Sequence, residues 1–329
     1  MVLKMLERKN PSEVKLFIVA PCYNEEEALP SSAKQLLAKL EELKNENLIG
    51  AGSRIVFVDD GSKDKTWEII ENLHKEHKEF CGLSLAHNRG HQNALLAGLM
   101  FAKEHADICI SIDADLQQDI NAMELFIQKY YEGCEIVFGV RNSRDTDSIF
   151  KKGTAGIFYK GMNLLGCDLY ANSADYRLMS KTALQALSEY SEVNLFLRGI
   201  IPDIGMKTGV VHFEVFPRAF GESKYTFKKM AKLAVDGITS FSIRPIHLIC
   251  IIGMIFVLIS AFMIIQTIVD FMLGNTVAGW PTLVCALWFI GGVQMFSIGI
   301  VGEYVGRSYE EVKKRPRYFL QDIYFEEED

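Results

Sequence analysis

The sequence predicts an α/β fold, a mostly parallel sheet flanked by helices, joined to an apolar C-terminal region. Three observations predict it. Short β-branched runs alternate with segments of helical periodicity as far as Val140, chemically capable polar residues gather where those runs end, and two long, nearly uncharged stretches follow Arg244. Composition agrees, since 49% hydrophobic and 23% charged residues over 329 positions exclude a disordered chain and supply a large core.

Val14–Ala20 and Arg54–Val58 read as parallel strands ending in polar loops. Between them Ala28–Lys44 carries Leu29, Leu36, Leu37, Leu40 and Leu43 at near-helical spacing, and Thr66–His77 repeats the pattern with Trp67, Ile69, Ile70 and Leu73. Leu83–Ala86, Ile108–Ile112 and Ile136–Val140 continue the strands, with Gln92–Glu104 and Met123–Tyr131 as the helices between. Such alternation predicts right-handed crossovers and a ligand site beyond the carboxyl ends of the strands. Four loops lie there: Pro21–Glu25, Asp59–Asp64, Asp113–Gln117 and Gly139–Arg141. No G-x-G-x-x-G or G-x-x-x-x-G-K-[ST] follows any strand, which argues against a dinucleotide oxidoreductase and a P-loop ATPase.

Past residue 145 the alternation fades. Phe150–Leu165 and Tyr225–Phe241 mix lysines with large apolar residues, as amphipathic helices at a membrane surface do, or as helices packed on the sheet with solvated lysines. Ile246–Val269 and Pro281–Tyr304 are each of membrane-spanning length. No signal peptide precedes them, and Lys or Arg flank the pair on both outer sides while the connector Asp270–Gly279 has neither. The expectation is a two-span protein of the plasma or inner membrane with both termini and the catalytic domain cytoplasmic. Its expected parts are a globular domain at 1–220, an amphipathic juxtamembrane segment at 221–245, the spans within 246–304 and a tail at 305–329. Seven scattered cysteines without a C-x-x-C pair argue for reduced thiols and no structural zinc. A net charge of −7, with basic residues concentrated near the spans, points to anionic lipid headgroups rather than nucleic acid.

Asp113-Ala114-Asp115 closes the apolar run Ile108–Ile112, and Gln117 follows two residues on. Two carboxylates just past a buried strand can hold a hard cation, Mg²⁺ or Mn²⁺, against a diphosphate, although Asp-x-Asp also occurs as a solvated turn or helix cap. Further motifs lie in order: Pro21-Cys22-Tyr23-Asn24-Glu25-Glu26, Val58-Asp59-Asp60-Gly61-Ser62, Asn88-Arg89-Gly90-His91-Gln92, Gly139-Val140-Arg141, Asp175-Tyr176-Arg177-Leu178-Met179 and Gly221-Glu222-Ser223-Lys224-Tyr225. Over essentially the whole chain, this set resembles family 2 inverting glycosyltransferases of the GT-A (Rossmann-like) fold. Within them it resembles the polyprenyl-phosphate group, which includes dolichyl-phosphate mannose synthase and bactoprenol glucosyltransferase.

The resemblance implies transfer of a hexose from a nucleotide sugar, UDP-glucose favoured, to polyprenyl phosphate. It implies that Pro21, Tyr23, Glu25, Val58 and Asp60 surround the nucleoside, that Asp113 and Ala114 line the donor, and that Asp115 and Gln117 reach the metal. Arg141, Arg218 and Lys224 correspond to phosphate-contacting cations. Asp175 corresponds to a candidate base or acceptor-orienting carboxylate; because a phosphate monoester is already largely dianionic near neutrality, positioning is the expected role. Arg177 would then bind phosphate or brace the segment. A lone His91 without metal-ligand spacing reads as a helix-start hydrogen bonder. The resemblance also implies a homo-oligomer, possible as a tetramer. A processive polysaccharide synthase is disfavoured because none of Trp67, Trp280 and Trp288 follows an Arg. Transfer of mannose, N-acetylglucosamine or an aminoarabinose-type sugar stays open, as does a non-catalytic subunit that binds or moves a sugar lipid.

Overall fold

The structure, a computed structural model, describes residues 8–142, 173–193, 196–216 and 279–326, together with single positions between 246 and 273. Among the described residues eight strands form one sheet: β1 Leu16–Cys22, β2 Arg54–Asp59, β3 Phe80–Leu85, β4 Ile108–Ser111, β5 Ile136–Arg141, β6 Ser173–Ser180, β7 Thr208–Phe213 and β8 Leu320–Tyr324. Their spatial order is β7-β5-β6-β4-β1-β2-β3-β8. The continuously described α-helices are α1 Leu29–Asn45, α2 Thr66–Glu76, α3 His91–His105, α4 Ala122–Tyr131, α5 Lys181–Ser188, α6 Leu197–Asp203 and α7 Trp280–Lys313.

Strand alternation divides the core into two layers. Leu16, Ile18 and Ala20 of β1 pack with Leu29, Ala33, Leu36 and Leu40 of α1, whereas Phe17 and Val19 pack with Leu95, Leu99 and Ala102 of α3. With both faces covered, Leu16–Ala20 has no residue more than 1% exposed, which is why this run is continuously apolar rather than alternating. Gly98 of α3 lies so close to β1 and β2 that an added Cβ would come within 2.4 Å of Val19 Cγ1 and 2.9 Å of Val58 Cγ2.

The chain proceeds outward through β1, β2 and β3 in parallel pairing, then returns to place β4 on the other side of β1. The join of β1 and β4 is therefore a topological switch point, where flanking loops diverge and leave a crevice at the carboxyl ends. Pairing shows the divergence directly. β4 stays with β1 only through Val19 and Ser111, plus the Ile112 N–H donated to the Val19 carbonyl, whereas β2 follows β1 as far as Cys22. Pro21 fits a central strand here because β4 has already left the edge its missing N–H would face.

Three strands were not expected: β7, which pairs parallel to β5 at the sheet edge, and β6 and β8, which run antiparallel to their neighbours. β6 lies between β4 and β5, so its N-terminal end, with Asp175, meets the carboxyl ends of its neighbours. Its buried Asp175 and Arg177 hide the strand from a hydropathy pattern. β8, in the segment expected to be a tail, pairs with β3. It is fastened by Tyr324 stacked on Trp67 at 5.2 Å between centroids and by Phe325 against Phe17, Phe101 and His105.

Among the described residues, α7 is the one helix long and apolar enough to cross a membrane, within Phe289–Lys313, and none of its apolar window is buried. At 34 residues it is about 50 Å long, more than the hydrocarbon needs. The surplus is the polar end, where Glu303 and Arg307 pair across one turn, and the helix stops at Lys314, which adopts the left-handed conformation (φ 47°) two residues before Pro316. Of the other expected span, Ile246–Val269, only separate positions are described, each of them helical, whereas Phe150–Leu165 and Tyr225–Phe241 lie outside the described residues. From α7 the chain enters β8 beside the carboxyl end of β3, where the Ala86 N–H donates to the Phe319 carbonyl. Glu311 of α7 accepts from the Val193 N–H at 2.8 Å, and Arg317 donates to the Tyr190 carbonyl. The apolar helix is thus fixed at the same end of the sheet as the crevice.

Candidate active site

The loops after β1 and β2 hold each other. Asn24 (φ 52°) accepts from the Lys63 N–H through Oδ1, while its own N–H donates to Ser62 Oγ. The Glu25 N–H donates to Thr66 Oγ1, and Asp64 accepts from the Thr66 hydroxyl and N–H and from the Glu26 N–H. Asp64 and Thr66 are therefore loop braces. Gly61 (φ 65°) lets this loop press on the next one, since a Cβ there would lie 2.7 Å from the Asn88 nitrogen. Gly61→Ala, with both steric conflict and left-handed strain, is expected to destabilise the protein by about 1–3 kcal/mol in urea unfolding; an unchanged midpoint would contradict the tight loop contact.

Asp60 is 3% exposed. Its Oδ1 accepts from the Arg89 N–H at 2.7 Å, and its Oδ2 from the Gly90 N–H and Asn88 Nδ2, both at 2.9 Å. Burial raises its pKa above the ordinary carboxylate value despite those bonds. Val58 is fully buried against α3, so only its backbone is available at a nucleoside pocket. Pro21 is buried in β1, whereas Tyr23 and Glu25 are half-buried at its end.

Past β4, Asp113, Asp115, Leu116 and Gln117 are half-buried and Ala114 is buried. Leu116 takes a left-handed backbone (φ 44°), which turns the loop so that Asp115 Oδ1 accepts from the Gln117 N–H at 3.3 Å. Gln117 is tied to the segment just after β7 by its carbonyl, which accepts from the Phe216 N–H at 2.8 Å. Asp113 accepts from Gln118 Nε2. Among the described residues no group of three or more His, Cys, Asp or Glu side chains could form a metal cage. The donor set nevertheless fits a hard divalent ion of the kind that takes one or two protein oxygens and shares the rest with substrate phosphates.

Asp175 is the hub of the other wall. Its side chain is 8% exposed and accepts from Arg177 at Oδ1 and from Arg198 at both oxygens, the closer contact being 2.9 Å to Oδ2. Ser111 Oγ donates to its backbone carbonyl. Burial alone would raise its pKa, but the Arg198 charge, the nearby His91, the Arg177 charge and the Arg198 hydrogen bonds hold it well below the usual carboxylate range. An anion so stabilised is a poor proton acceptor. Arg177, only 2% exposed, braces Asp175 from beneath.

Sequence reasoning missed Arg198, which sits in α6 among apolar residues, and set His91 aside as a helix-start hydrogen bonder. His91 opens α3, and its Nε2 lies 3.6 Å from Asp175 and 3.8 Å from Asp113. Arg141 ends β5, exposed at this same end of the sheet. Arg218 and Lys224 lie outside the described residues.

A mixed α/β sheet whose switch-point crevice carries an acidic loop on one wall and an arginine-held carboxylate on the other is a frame for handling charged, oxygen-rich substrates. The glycosyl transferase family 2 model matches residues 17–188, and this chain belongs to that family: it is a glycosyltransferase. It is 49% identical to the glycosyltransferase YkoT of Bacillus subtilis, over 96% of this chain and 94% of that protein. It is 39% identical to the bactoprenol glucosyl transferase of Shigella phage SfII, over 94% of this chain and 98% of that one. Among solved structures it is similar to mannosyl-3-phosphoglycerate synthase from Rubrobacter xylanophilus, with a TM-score of 0.46 and 14% identity over 68% of this chain and 71% of that one.

Proposed function

We propose that this glycosyltransferase moves glucose from UDP-glucose to a polyprenyl phosphate, with inversion, at the cytoplasmic face of the plasma or inner membrane. The observation that carries the reading is near-full-length similarity to a bactoprenol glucosyl transferase. The attachment of α7 beside the crevice supports it, because an acceptor phosphate sits at headgroup level while its tail stays in hydrocarbon. Holding donor and acceptor at one surface lowers the orientational cost of their meeting.

In this reading Tyr23 and Glu25 face the nucleoside, with Pro21 and Val58 forming the floor. Asp113 and Ala114 line the sugar diphosphate, and Arg141 with Arg218 and Lys224 meets phosphate charge. Asp115 and Gln117 hold Mg²⁺ or Mn²⁺, which when bound offsets the charge that accumulates on the departing diphosphate. Asp175 stays ionised and orients Arg198 and His91 toward the reacting groups, while the acceptor phosphate, already anionic, attacks the anomeric carbon without needing a protein base. Ile246–Val269 and α7 are the two spans, and self-association into a homo-oligomer belongs to the same reading.

Purified enzyme given one polyprenyl phosphate and a panel of labelled donors should move glucose from UDP-glucose into a lipid phase in preference to mannose, N-acetylglucosamine or aminoarabinose-type sugars. Chelation should abolish transfer, and Mn²⁺ or Mg²⁺ should restore it. Preference for another donor would overturn the sugar assignment; transfer unaffected by chelation would overturn the metal assignment.

A further inference from the structure

Sequence reasoning gives His91 no role beyond a hydrogen bond at a helix start. It bridges the two walls of the crevice: one ring nitrogen faces Asp113, on the loop after β4, and Asp175, on β6, at 3.8 and 3.6 Å. Both separations exceed a hydrogen bond, so one N–H answers two carboxylates without being committed to either. The side chain is 42% exposed, at the mouth rather than in the core.

Its placement is built. Asp60 gathers the Arg89 and Gly90 N–H groups and the Asn88 amide, fixing the turn that feeds α3, and Gly90 (φ 87°) makes the left-handed step immediately before His91. The ring is therefore aimed by a carboxylate just past β2, which is separated from the Asp175 strand, β6, by β1 and β4.

Resting on the proposed sugar transfer, we infer that His91 is a positioning residue: as a cation it spans Asp113 and Asp175, offsets their mutual repulsion and fixes the width of the crevice where donor and acceptor meet. The groups facing it are Asp113 after β4, Asp175 on β6, Arg198 on α6 and Asp60 after β2. Desolvation at the crevice wall lowers its proton affinity, but the nearness of Asp175 and the Asp113 charge outweigh desolvation and the Arg198 charge, and its pKa is raised. The cation is thus present at low pH and is lost as pH rises through that raised value. Asp60, whose two oxygens already serve the 88–90 turn, acts in this scheme through His91.

The test compares full-length wild type with His91→Gln and His91→Lys in the lipid-transfer assay across pH. His91→Gln should lower kcat about 100-fold near neutrality, the scale of a misplaced reactive geometry. Its KM for the donor should stay within about threefold, since the contact acts on alignment rather than uniform binding. His91→Lys should retain more activity than His91→Gln and hold it to higher pH than wild type, because a lysine keeps its charge to about pH 10. A His91→Gln enzyme with wild-type kcat, or Gln and Lys variants that match at every pH, would overturn the inference. A wild type that transfers no sugar would instead overturn the reading on which it rests.

Discussion

Asp115→Asn is expected to lower kcat/KM about 1,000-fold or more, since removing a charge aimed at a developing anion forfeits several kcal/mol of transition-state stabilisation. The fold should survive. Asp115 is half-buried, and an asparagine oxygen can also accept the bond that Asp115 Oδ1 accepts from the Gln117 N–H. Thermal unfolding should therefore agree with wild type to within about 0.5 kcal/mol, as for surface substitutions generally. The contrast with Asp113 is informative: Asp113 accepts from Gln118 and faces His91, so its loss disturbs the crevice wall rather than a metal ligand. Initial rates over a Mn²⁺ titration check the assignment, and near-wild-type turnover of Asp115→Asn at low metal would contradict it.

Asp175→Asn carries the second large effect, and here stability falls together with activity. Neutralising this carboxylate leaves the Arg177 and Arg198 charges facing each other, with Arg177 only 2% exposed. Breaking a buried pair from one side costs about 3–5 kcal/mol; partial exposure of Arg198 at 30% places the expectation near the lower figure. The dependence on pH has a definite sign. The folded-state pKa of Asp175 is depressed, so its stabilisation is fully present above the unfolded-state value of about 3.9 and disappears as pH falls through the lower folded-state value. Urea midpoints of wild type and variant should be well apart at pH 7 and converge in acid. Equal midpoints at pH 7 would mean that the cluster contributes nothing to the fold.

Strands β1 to β5 and helices α1 to α4 were legible because their burial follows a period: continuous β-branched runs for strands covered on both faces, and leucines three and four apart for helices that cover them. β6 was not legible for the same physical reason that it matters. A strand with a buried Asp and Arg on its length has no apolar signature, and the ion cluster that permits this burial exists only once β4, α6 and α3 have assembled around it. β8 escaped because pairing with β3, six elements or more back along the chain, is not encoded locally. At the site, the acidic loop could be read from its position after an apolar run. His91 and Arg198 could not, since each becomes meaningful only through Asp175, and neither lies near it in sequence. For His91 there was one usable signal, its place directly after Asn88-Arg89-Gly90 at a helix start. Asp60 shows the converse: the sequence marks it for a ligand, and the structure shows that it also anchors the next loop through three accepted bonds.

The most direct measurement is transfer of labelled glucose by the purified chain alone, in detergent, with UDP-glucose, undecaprenyl phosphate and Mn²⁺. The expected result is a mild-acid-labile, organic-extractable glucolipid formed in step with UDP release, and lost in Asp115→Asn. UDP release without any labelled lipid, or no turnover with any polyprenyl phosphate, would contradict the assignment of a lipid phosphate as the acceptor.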